Sequence, residues 1–349
     1  NLNFTTSSDG IIRSSGDITG AGDITLDGFG TTVFDTANTY TGSTTIDSGT
    51  LQIENAGSLG ASTAGTIVNN GGTLALAGGI TLVNESLTLA GEGSDSQGAL
   101  FNHSGNNTWS DAITLMDNAA IGTNNATQLT VSGDIDGAGN SVTLLPQAGS
   151  TIALNGTLTG VGTDVIYAGQ GTTEIGFFSD HTYTGATTIR SGTVLSKSSV
   201  GAFGENAFGN NATPIEIGDS GTVATDNIAL LFSTTGPANQ NWQQIIANRE
   251  LNINDFGNEV TFGVVGGFWT EMRQAINLNR DLTLFADTDS ELRINNNTAS
   301  GQLTGSGNLT KTGDGTVLIR GNQNYSGNLT INEGIITIAD ATDALDSNG

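Results

Sequence analysis

The sequence predicts an all-β protein, and within that class a parallel β-helix or solenoid. First, the stretch YTGSTTIDSGTL at residues 40–51 recurs as YTGATTIRSGTV at residues 183–194 and as YSGNLTINEGII at residues 325–336. Second, apolar and polar residues alternate in short runs separated by Gly, Asn, Asp or Ser clusters, as in strands joined by tight turns. Third, helical periodicity is almost absent. Coils of about 20 to 25 residues would give about fifteen coils and an elongated rod of about 70 Å.

The repeated stretch divides the chain into units. The copies start at Tyr40, Tyr183 and Tyr325, and such a period indicates one supersecondary unit copied along an axis. We therefore predict a single continuous β-helix over residues 1–349, with repeat units at 18–157 and 158–302 and a partial unit at 303–349. Because the partial unit stops where the two earlier units continue with more strands, we expect the chain to be a fragment of a longer polypeptide.

Individual strands are predicted wherever β-branched and aliphatic residues alternate with polar ones. The clearest are GTLAL at Gly72, SLTLAG at Ser86, SVTLL at Ser141, STIAL at Ser150, PIEI at Pro214, EVTFGVV at Glu259, DLTLF at Asp281 and GTVLI at Gly315. The stretch NQNWQQIIANREL from Asn239 could form a helix, but it has no suitable cap and lies between strand patterns. A strand around Ile245 and Ile246 is the favoured interpretation.

Composition excludes several classes of function. Nine Lys and Arg oppose 34 Asp and Glu, which gives a formal charge of −25. Such a field repels phosphate backbones and anionic lipid headgroups, so nucleic acid is not an expected partner. The absence of Cys excludes a disulfide framework, a thiolate metal site and a Cys nucleophile. No run approaches the length of a membrane-spanning helix, so this segment is not expected to insert into a membrane.

The residues that could carry chemistry have structural interpretations. His181 occupies a repeat position that is Asn38 and Asn324 in the other copies, which indicates a corner residue, and His103 lies in a Gly/Asn turn. The GDSG at Gly218 resembles part of a serine-protease motif, but Thr222 replaces the next Gly. No other nucleophile or metalloprotease motif occurs. We therefore predict no catalytic residues and classify the chain as not an enzyme.

Carboxylate pairs were considered both for catalysis and for Ca²⁺. Asp134 with Asp136, and Asp287 with Asp289, have the i, i+2 spacing that faces one way on a strand, but in turns Asp caps the local backbone. No cluster of basic residues accompanies them to orient a uronate, and Ca²⁺-binding repeat motifs are absent. The sequence predicts no metal site and no cofactor, and it leaves any ligand-binding residues unknown.

Tryptophans are the remaining candidates for a sugar-binding surface. The candidates are Trp109, Trp242 and Trp269, together with Phe268, which precedes Trp269. Trp109 and Trp269 stand in similar sequence contexts, NTWSDAITL and GFWTEMRQAINL, which favours packing in the core over binding of a sugar.

The chain resembles a known family of secreted proteins. The pattern N-x-Y-T-G-x-T-T-I-x-x-G-T-L, preceded by hydrophobic-T-G-x-G and by KTGDGTV at Lys311, is similar to the autotransporter-associated β-strand repeat of bacterial autotransporter passenger domains. The similarity is strongest at residues 38–51 and weaker at 181–194, where His replaces Asn. The resemblance implies a right-handed β-helix, export across the outer membrane of a Gram-negative cell, and an extracellular or cell-surface location. No strands of a translocator barrel are recognisable.

Three functions fit these observations. The leading hypothesis is a non-enzymatic surface protein, a rigid rod for adhesion, surface coating or extracellular matrix, with cell-surface or matrix glycans as partners. An alternative is a subunit of a self-assembling extracellular filament whose partner is a second copy, stacked end to end. A further alternative is a β-helix that binds or degrades polysaccharides.

Overall fold

The chain folds as a parallel β-solenoid. A computed structural model describes residues 1–61, 64–176, 180–197, 207–233, 244–246, 249–267, 269–294, 303–321 and 323–339. Within these ranges every regular element is a strand, and the strands of successive coils pair in parallel. The solenoid has about 13 turns. The predicted fold class is therefore confirmed, with slightly fewer coils than the fifteen expected.

The described strands are numbered in chain order. The first twenty are β1 (Leu2–Phe4), β2 (Ile11–Ser14), β3 (Ile24–Leu26), β4 (Thr31–Phe34), β5 (Thr44–Ile46), β6 (Gly49–Ile53), β7 (Thr66–Val68), β8 (Gly72–Leu76), β9 (Thr81–Leu82), β10 (Leu87–Gly91), β11 (Leu100–Asn102), β12 (Asn106–Trp109), β13 (Ile113–Thr123), β14 (Gln128–Val131), β15 (Ile135–Asp136), β16 (Val142–Pro146), β17 (Thr151–Leu154), β18 (Leu158–Thr159), β19 (Val165–Tyr167) and β20 (Thr172–Ile175).

The remaining strands are β21 (Thr187–Ile189), β22 (Gly192–Ser196), β23 (Ile215–Ile217), β24 (Ile228–Ser233), β25 (Gln244–Ile246), β26 (Leu251–Ile253), β27 (Val260–Val265), β28 (Trp269–Met272), β29 (Ile276–Leu278), β30 (Leu282–Ala286), β31 (Glu291–Ile294), β32 (Leu303–Gly305), β33 (Leu309–Thr312), β34 (Thr316–Arg320), β35 (Asn324–Tyr325), β36 (Leu329–Ile331) and β37 (Ile335–Ala339). All eight strands predicted most clearly from the sequence are present, and β25 confirms the strand around Ile245 and Ile246. Much of the stretch that begins at Asn239 lies outside the described residues.

The chain divides into two compact units. The N-terminal unit comprises Asn1–Glu174 with Thr182–Gly185, and the C-terminal unit comprises Ile175–His181 with Ala186–Gly349. The single continuous β-helix over residues 1–349 and the repeat-unit boundaries at residues 157 and 302 stay predictions. No helix in the described part of the chain is long and apolar enough to span a membrane.

Three stacks of parallel strands build the N-terminal unit. The first is β1–β3–β5–β7–β10–β13–β15–β18, the second is β2–β4–β6–β8–β11–β13–β16–β19, and the third, β9–β12–β14–β17, begins only at the fourth coil. The alternating pattern directs every second side chain inward, so that equivalent residues of successive coils form a column. One such column, all buried, is Leu26, Ile46, Val68, Leu89 and Leu115.

The C-terminal unit also has three stacks. They are β21–β23–β26–β29–β32–β35, β22–β24–β27–β30–β33–β36 and β25–β28–β31–β34–β37. Phe232 and Phe262 meet edge to face in its core, with ring centroids 5.9 Å apart. The aliphatic residues of the predicted strands therefore fill the interior, as the alternation requires.

The lower number of turns has a local cause. In the N-terminal unit, register partners one coil apart are separated by 20 residues at Ile24 and Thr44 and by 26 at Leu87 and Ile113. In the C-terminal unit, Ile215 pairs with Leu251, 36 residues further on. The strands described there remain three to six residues long. A coil can lengthen at its corners without losing its pairing.

Of the two glycines of the repeated stretch, only the second has a positive φ. The second one, at Gly49, Gly192 and Gly334, has a φ of 71°, 73° and 70°, which is the left-handed region expected for a corner. The first one does not. A Cβ on Gly42 would lie 2.4 Å from the carbonyl oxygen of Gly22 in the preceding coil, and one on Gly327 would lie 2.0 Å from that of Gly307. The first glycine is therefore required by close backbone contact between coils.

This contact gives the first prediction. Replacing Gly42 by Ala forces the two coils apart at that corner and should cost about 1–3 kcal/mol of unfolding free energy. The matched control is Gly16→Ala, because nothing lies within 4 Å of a Cβ at Gly16. Urea unfolding followed by far-UV circular dichroism measures both variants. Equal stability of the two would contradict the proposed role of Gly42.

Candidate binding groove

The two histidines have different surroundings. His181 is 1% exposed, and burial lowers its pKa to about 4 against the opposing effect of Asp180. Its repeat counterpart Asn38 is also buried and joins adjacent coils: its Oδ1 accepts from the Ile18 amide at 2.9 Å and its Nδ2 donates to the Ser58 carbonyl at 2.6 Å. His181 thus lies at a packed corner, as predicted. His103 is exposed, and its ring meets the edge of Phe101 at 6.2 Å between centroids.

Three carboxylates of the predicted pairs bind backbone amides. Asp134 accepts from the Thr157 amide at 2.8 Å, Asp136 from the Ala138 amide at 2.9 Å and Asp287 from the Gly266 amide at 2.9 Å, while Asp289 has a φ of 63°. Across the described residues, no three or more His, Asp or Glu side chains are grouped so that they could hold a metal ion. The Asp136 contact is the local turn bond expected from the sequence, whereas the contacts of Asp134 and Asp287 join adjacent coils.

The GDSG stretch at Gly218 is also a turn. Gly218 has a φ of 82°, and Asp219 forms a bidentate pair with Arg190 at 2.8 Å. Burial acts to raise the pKa of Asp219, but the bond from Arg190 and the Gly221 amide leave it below its usual value. The carboxylate is therefore committed to the turn.

The two tryptophans that the structure describes are not equivalent. Trp109 is 0% exposed in β12, between Leu82 and Val131 of the adjacent coils, so its predicted core position is confirmed. Trp269 is half-buried at the outward start of β28, and the Arg293 guanidinium lies 4.0 Å from its ring centroid. The core prediction is wrong for Trp269, because similar neighbours do not fix which face of a strand a residue takes. Trp242 and Phe268 lie outside the described residues.

Sequence reasoning missed two buried charges at matching positions of different coils. Glu85 lies two residues before β10 and accepts from the Thr66 hydroxyl at 2.7 Å, and burial raises its pKa. Arg249 lies two residues before β26, is 1% exposed, and donates to the Thr213 carbonyl and the Thr187 hydroxyl, each at 2.7 Å. Both side chains are held within the solenoid and are therefore structural.

A third buried charge explains the Lys of the KTGDGTV motif. Lys311 is 0% exposed and follows Leu284 in an inward column of β30 and β33. Its ammonium donates to the carbonyls of Thr312, Gly313 and Glu333 at 2.7, 2.6 and 3.3 Å. Burial lowers its pKa, although the nearby carboxylates oppose this. The ammonium closes the corner by binding backbone carbonyls.

A surface feature suited to a ligand lies on the outward face of the second stack in the N-terminal unit. Thr31, Thr50 and Thr73 are register partners and form a row of hydroxyl groups across three coils. Beside this row, Gln52, Ala75 and Phe101 form a second column. The two columns are the floor of a groove, which we call the threonine groove.

An insertion forms a ridge over this floor. Leu100 lies nine positions after Gly91, whereas its partner Ile121 lies two positions after Ala119, so the coil carries seven extra residues, 92–98. The Ser94 amide donates to the Thr73 hydroxyl at 2.8 Å, and the Ser94 hydroxyl lies 3.1 Å from that of Thr50. The Gly98 amide closes the loop by donating to the Glu92 carbonyl at 2.8 Å. The ridge is therefore fixed to the row of threonines.

An exposed aromatic residue stands at the edge of the same groove. Phe29 is 79% exposed. Thr31 lies five positions after Leu26, but its partner Thr50 lies four positions after Ile46, so the corner that carries Phe29 is one residue longer.

The glycines on both sides of Phe29 press against preceding coils. A Cβ on Gly28 would lie 2.4 Å from the Thr6 amide, and one on Gly30 would lie 2.3 Å from the Gly10 carbonyl oxygen. With its neighbours held inward in this way, the corner presents the Phe29 ring to solvent.

The groove is acidic. Asp9 and Asp95 line it, and the N-terminal unit carries one Lys or Arg against 16 Asp and Glu, a formal charge of −15. The single cation, Arg13, is paired with Asp35 at 3.0 Å and with Glu54 at 3.1 Å, and this pairing lowers the pKa of Glu54. Arg13 is thus already neutralised and does not offset the carboxylates of the groove.

Comparison with known proteins identifies the repeated stretch. The family model described as the passenger-associated-transport-repeat matches residues 19–53, 165–195 and 309–338. The matched residues contain all three copies of the repeated stretch, and together with the solenoid they are similar to an autotransporter passenger domain with β-strand repeats. Their lengths of 35, 31 and 30 residues make 96 of the 349, so the groove insertion 92–98 lies outside them. Comparisons with curated proteins and with solved structures gave no match.

The buried His181 predicts a specific pH dependence. Its pKa falls from 6.5 in the unfolded chain to about 4 in the folded one. The buried neutral imidazole therefore makes its full contribution to the free energy of unfolding above pH 6.5. As the pH falls from 6.5 towards 4, the unfolded chain binds a proton that the folded chain does not, which costs about 2–3 kcal/mol by pH 4.5. The variant His181→Asn, which copies the residue of the other two repeats, should lose less stability on acidification.

The measurement is the free energy of unfolding in urea at pH 7.5 and at pH 4.5. The control is His103→Asn at the exposed histidine, which should keep the full loss seen in the unmodified chain. An identical loss for His181→Asn would contradict the burial of a neutral imidazole.

Proposed function

We propose that this chain is part of the passenger domain of an autotransporter-type protein, located on the surface or in the surroundings of a Gram-negative cell, where it serves adhesion or surface coating without catalysing a reaction. One observation carries the proposal: the three passenger-repeat matches coincide with stacked coils of the solenoid. Export as an unfolded chain followed by coil-by-coil stacking suits a fold whose repeats contact only their neighbours.

Composition supports the same function. A chain without Cys cannot be locked by premature disulfides before export. The charge of −25 keeps an extended surface soluble and repels anionic surfaces. Contact with a target surface would therefore rely on uncharged groups and local shape, more than on long-range attraction.

The alternatives have less support. Degradation of polysaccharides would need paired carboxylates free to act on a substrate, and Asp134 and Asp287 already accept hydrogen bonds from backbone amides of adjacent coils. Assembly into an end-to-end filament stays a prediction from the sequence.

Surface location can be tested on the natural full-length protein in its own bacterium. Antibodies raised against residues 1–339 should label intact cells, or material released from them, and proteinase added outside should remove the cell-bound label. Antibodies against a cytoplasmic protein serve as the control and should label permeabilised cells only. Labelling that requires permeabilisation would contradict the proposal.

A further inference from the structure

We infer that the threonine groove of the N-terminal unit binds an uncharged oligosaccharide, with the Phe29 ring as the stacking surface. This inference supplies a ligand for the adhesive function proposed above and in that sense rests on it. The ridge, residues 92–98, lies outside the residues matched by the repeat family, whereas Phe29, Thr31 and Thr50 lie within the match at 19–53.

The groove has the size of a ligand site. The ridge has a cleft on each side, of ≈ 690 Å³ on the side of Phe29 and of ≈ 180 Å³ on the side of Phe101. Both clefts are lined by Thr31, Thr50, Ser94 and Asp95, so they adjoin over the same floor. The larger one falls in the range of about 300–1,000 Å³ that is typical of small-molecule sites.

The lining of the larger cleft matches the two faces of a sugar ring. One face of a pyranose presents C–H groups, and the exposed ring of Phe29 offers an apolar surface for them. The edge of a sugar presents hydroxyls that both donate and accept hydrogen bonds. The Thr31 and Thr50 hydroxyls, the Asn70 amide and the Asp95 carboxylate provide acceptors and donors in the same cleft as Phe29.

Charge restricts the kind of sugar. Asp9 and Asp95 line the cleft, and the one Arg of the unit is paired with Asp35 and Glu54. A uronate, sialate or sulfated sugar would therefore meet carboxylates with no free cation to bind it. An uncharged glycan has hydroxyl donors for both carboxylates and carries no opposing charge.

The site is also formed before the ligand arrives. Ser94 is bound to Thr50 and Thr73, and Gly98 closes the loop, so the ridge is fixed without a ligand. The corner glycines hold Phe29 outward. Polar groups that are already fixed lose little conformational entropy on binding, which favours affinity from a small contact area. Both departures from the regular repeat, the longer Phe29 corner and residues 92–98, flank the same three threonines.

The test uses the purified chain and two sets of probes. One set comprises uncharged oligosaccharides of glucose, galactose, mannose and N-acetylglucosamine, and the other comprises oligouronates and sulfated oligosaccharides. Binding is measured on an array and then by isothermal titration calorimetry. We expect at least one uncharged oligosaccharide to bind and the anionic probes to bind more weakly. Phe29→Ala and Asp95→Ala should each weaken that binding by about tenfold or more.

The matched control is Phe256→Ala in the C-terminal unit, where the Phe is 40% exposed and lies outside the groove. It should bind as the unmodified chain does, and circular dichroism should show all variants folded. The inference is overturned if no uncharged probe binds, if Phe29→Ala binds unchanged, or if the anionic probes bind more tightly. None of these outcomes bears on surface labelling of intact cells, so the inference can fail while the proposed function stands.

Discussion

The spacing between coils is the constraint on which the rest of the solenoid depends. Parallel strands joined by backbone hydrogen bonds lie about 4.8 Å apart, and at a corner the turns of successive coils must approach equally closely. The contact of Gly42 with Gly22, and of Gly327 with Gly307, is the consequence at the repeated stretch. Where these positions have no side chain, the strands on either side can remain in register. Once the strands are in register, the inward Ile, Leu and Val residues of successive coils align in columns.

Polar groups inside the solenoid are tolerated where the geometry pairs them. In the first stack, Thr44 and Thr66 interrupt an apolar column, and the Tyr40 hydroxyl and the Glu85 carboxylate bind them at 2.5 and 2.7 Å. At the matching place in the C-terminal unit, Arg249 binds Thr187 instead. Buried groups of opposite charge thus serve the same purpose, because each satisfies hydroxyls or carbonyls that would otherwise lose water without compensation.

Much of the fold could be predicted, and little of the groove. Strands such as β8 and β27 follow from alternation alone, since a buried face requires apolar residues at every second position. The positive φ of Gly49 could be predicted because glycine adopts it readily. The requirement for Gly42 comes from its contact with Gly22, 20 positions earlier in the chain, and the sequence alone does not show that contact. Phe29 and residues 92–98 were not recognised, because their meaning depends on which coils they face. The long coil between Ile215 and Leu251 was missed for a related reason: connections can lengthen without a change in the strand pattern.

In-register stacking of coils is tested most directly by cysteine pairs, since the chain has no Cys of its own. Thr45 and Ile67 are outward-facing register partners in β5 and β7. Their Cα atoms should lie about 4.8 Å apart, within the range that a disulfide bridges. Oxidation of the variant Thr45→Cys with Ile67→Cys should give an intramolecular disulfide, detected by mass spectrometry of peptides. Thr45→Cys with Asn69→Cys, offset by two residues to more than about 7 Å, should not. Cross-linking of the offset pair in preference to the register pair would contradict the stacking on which the structure depends.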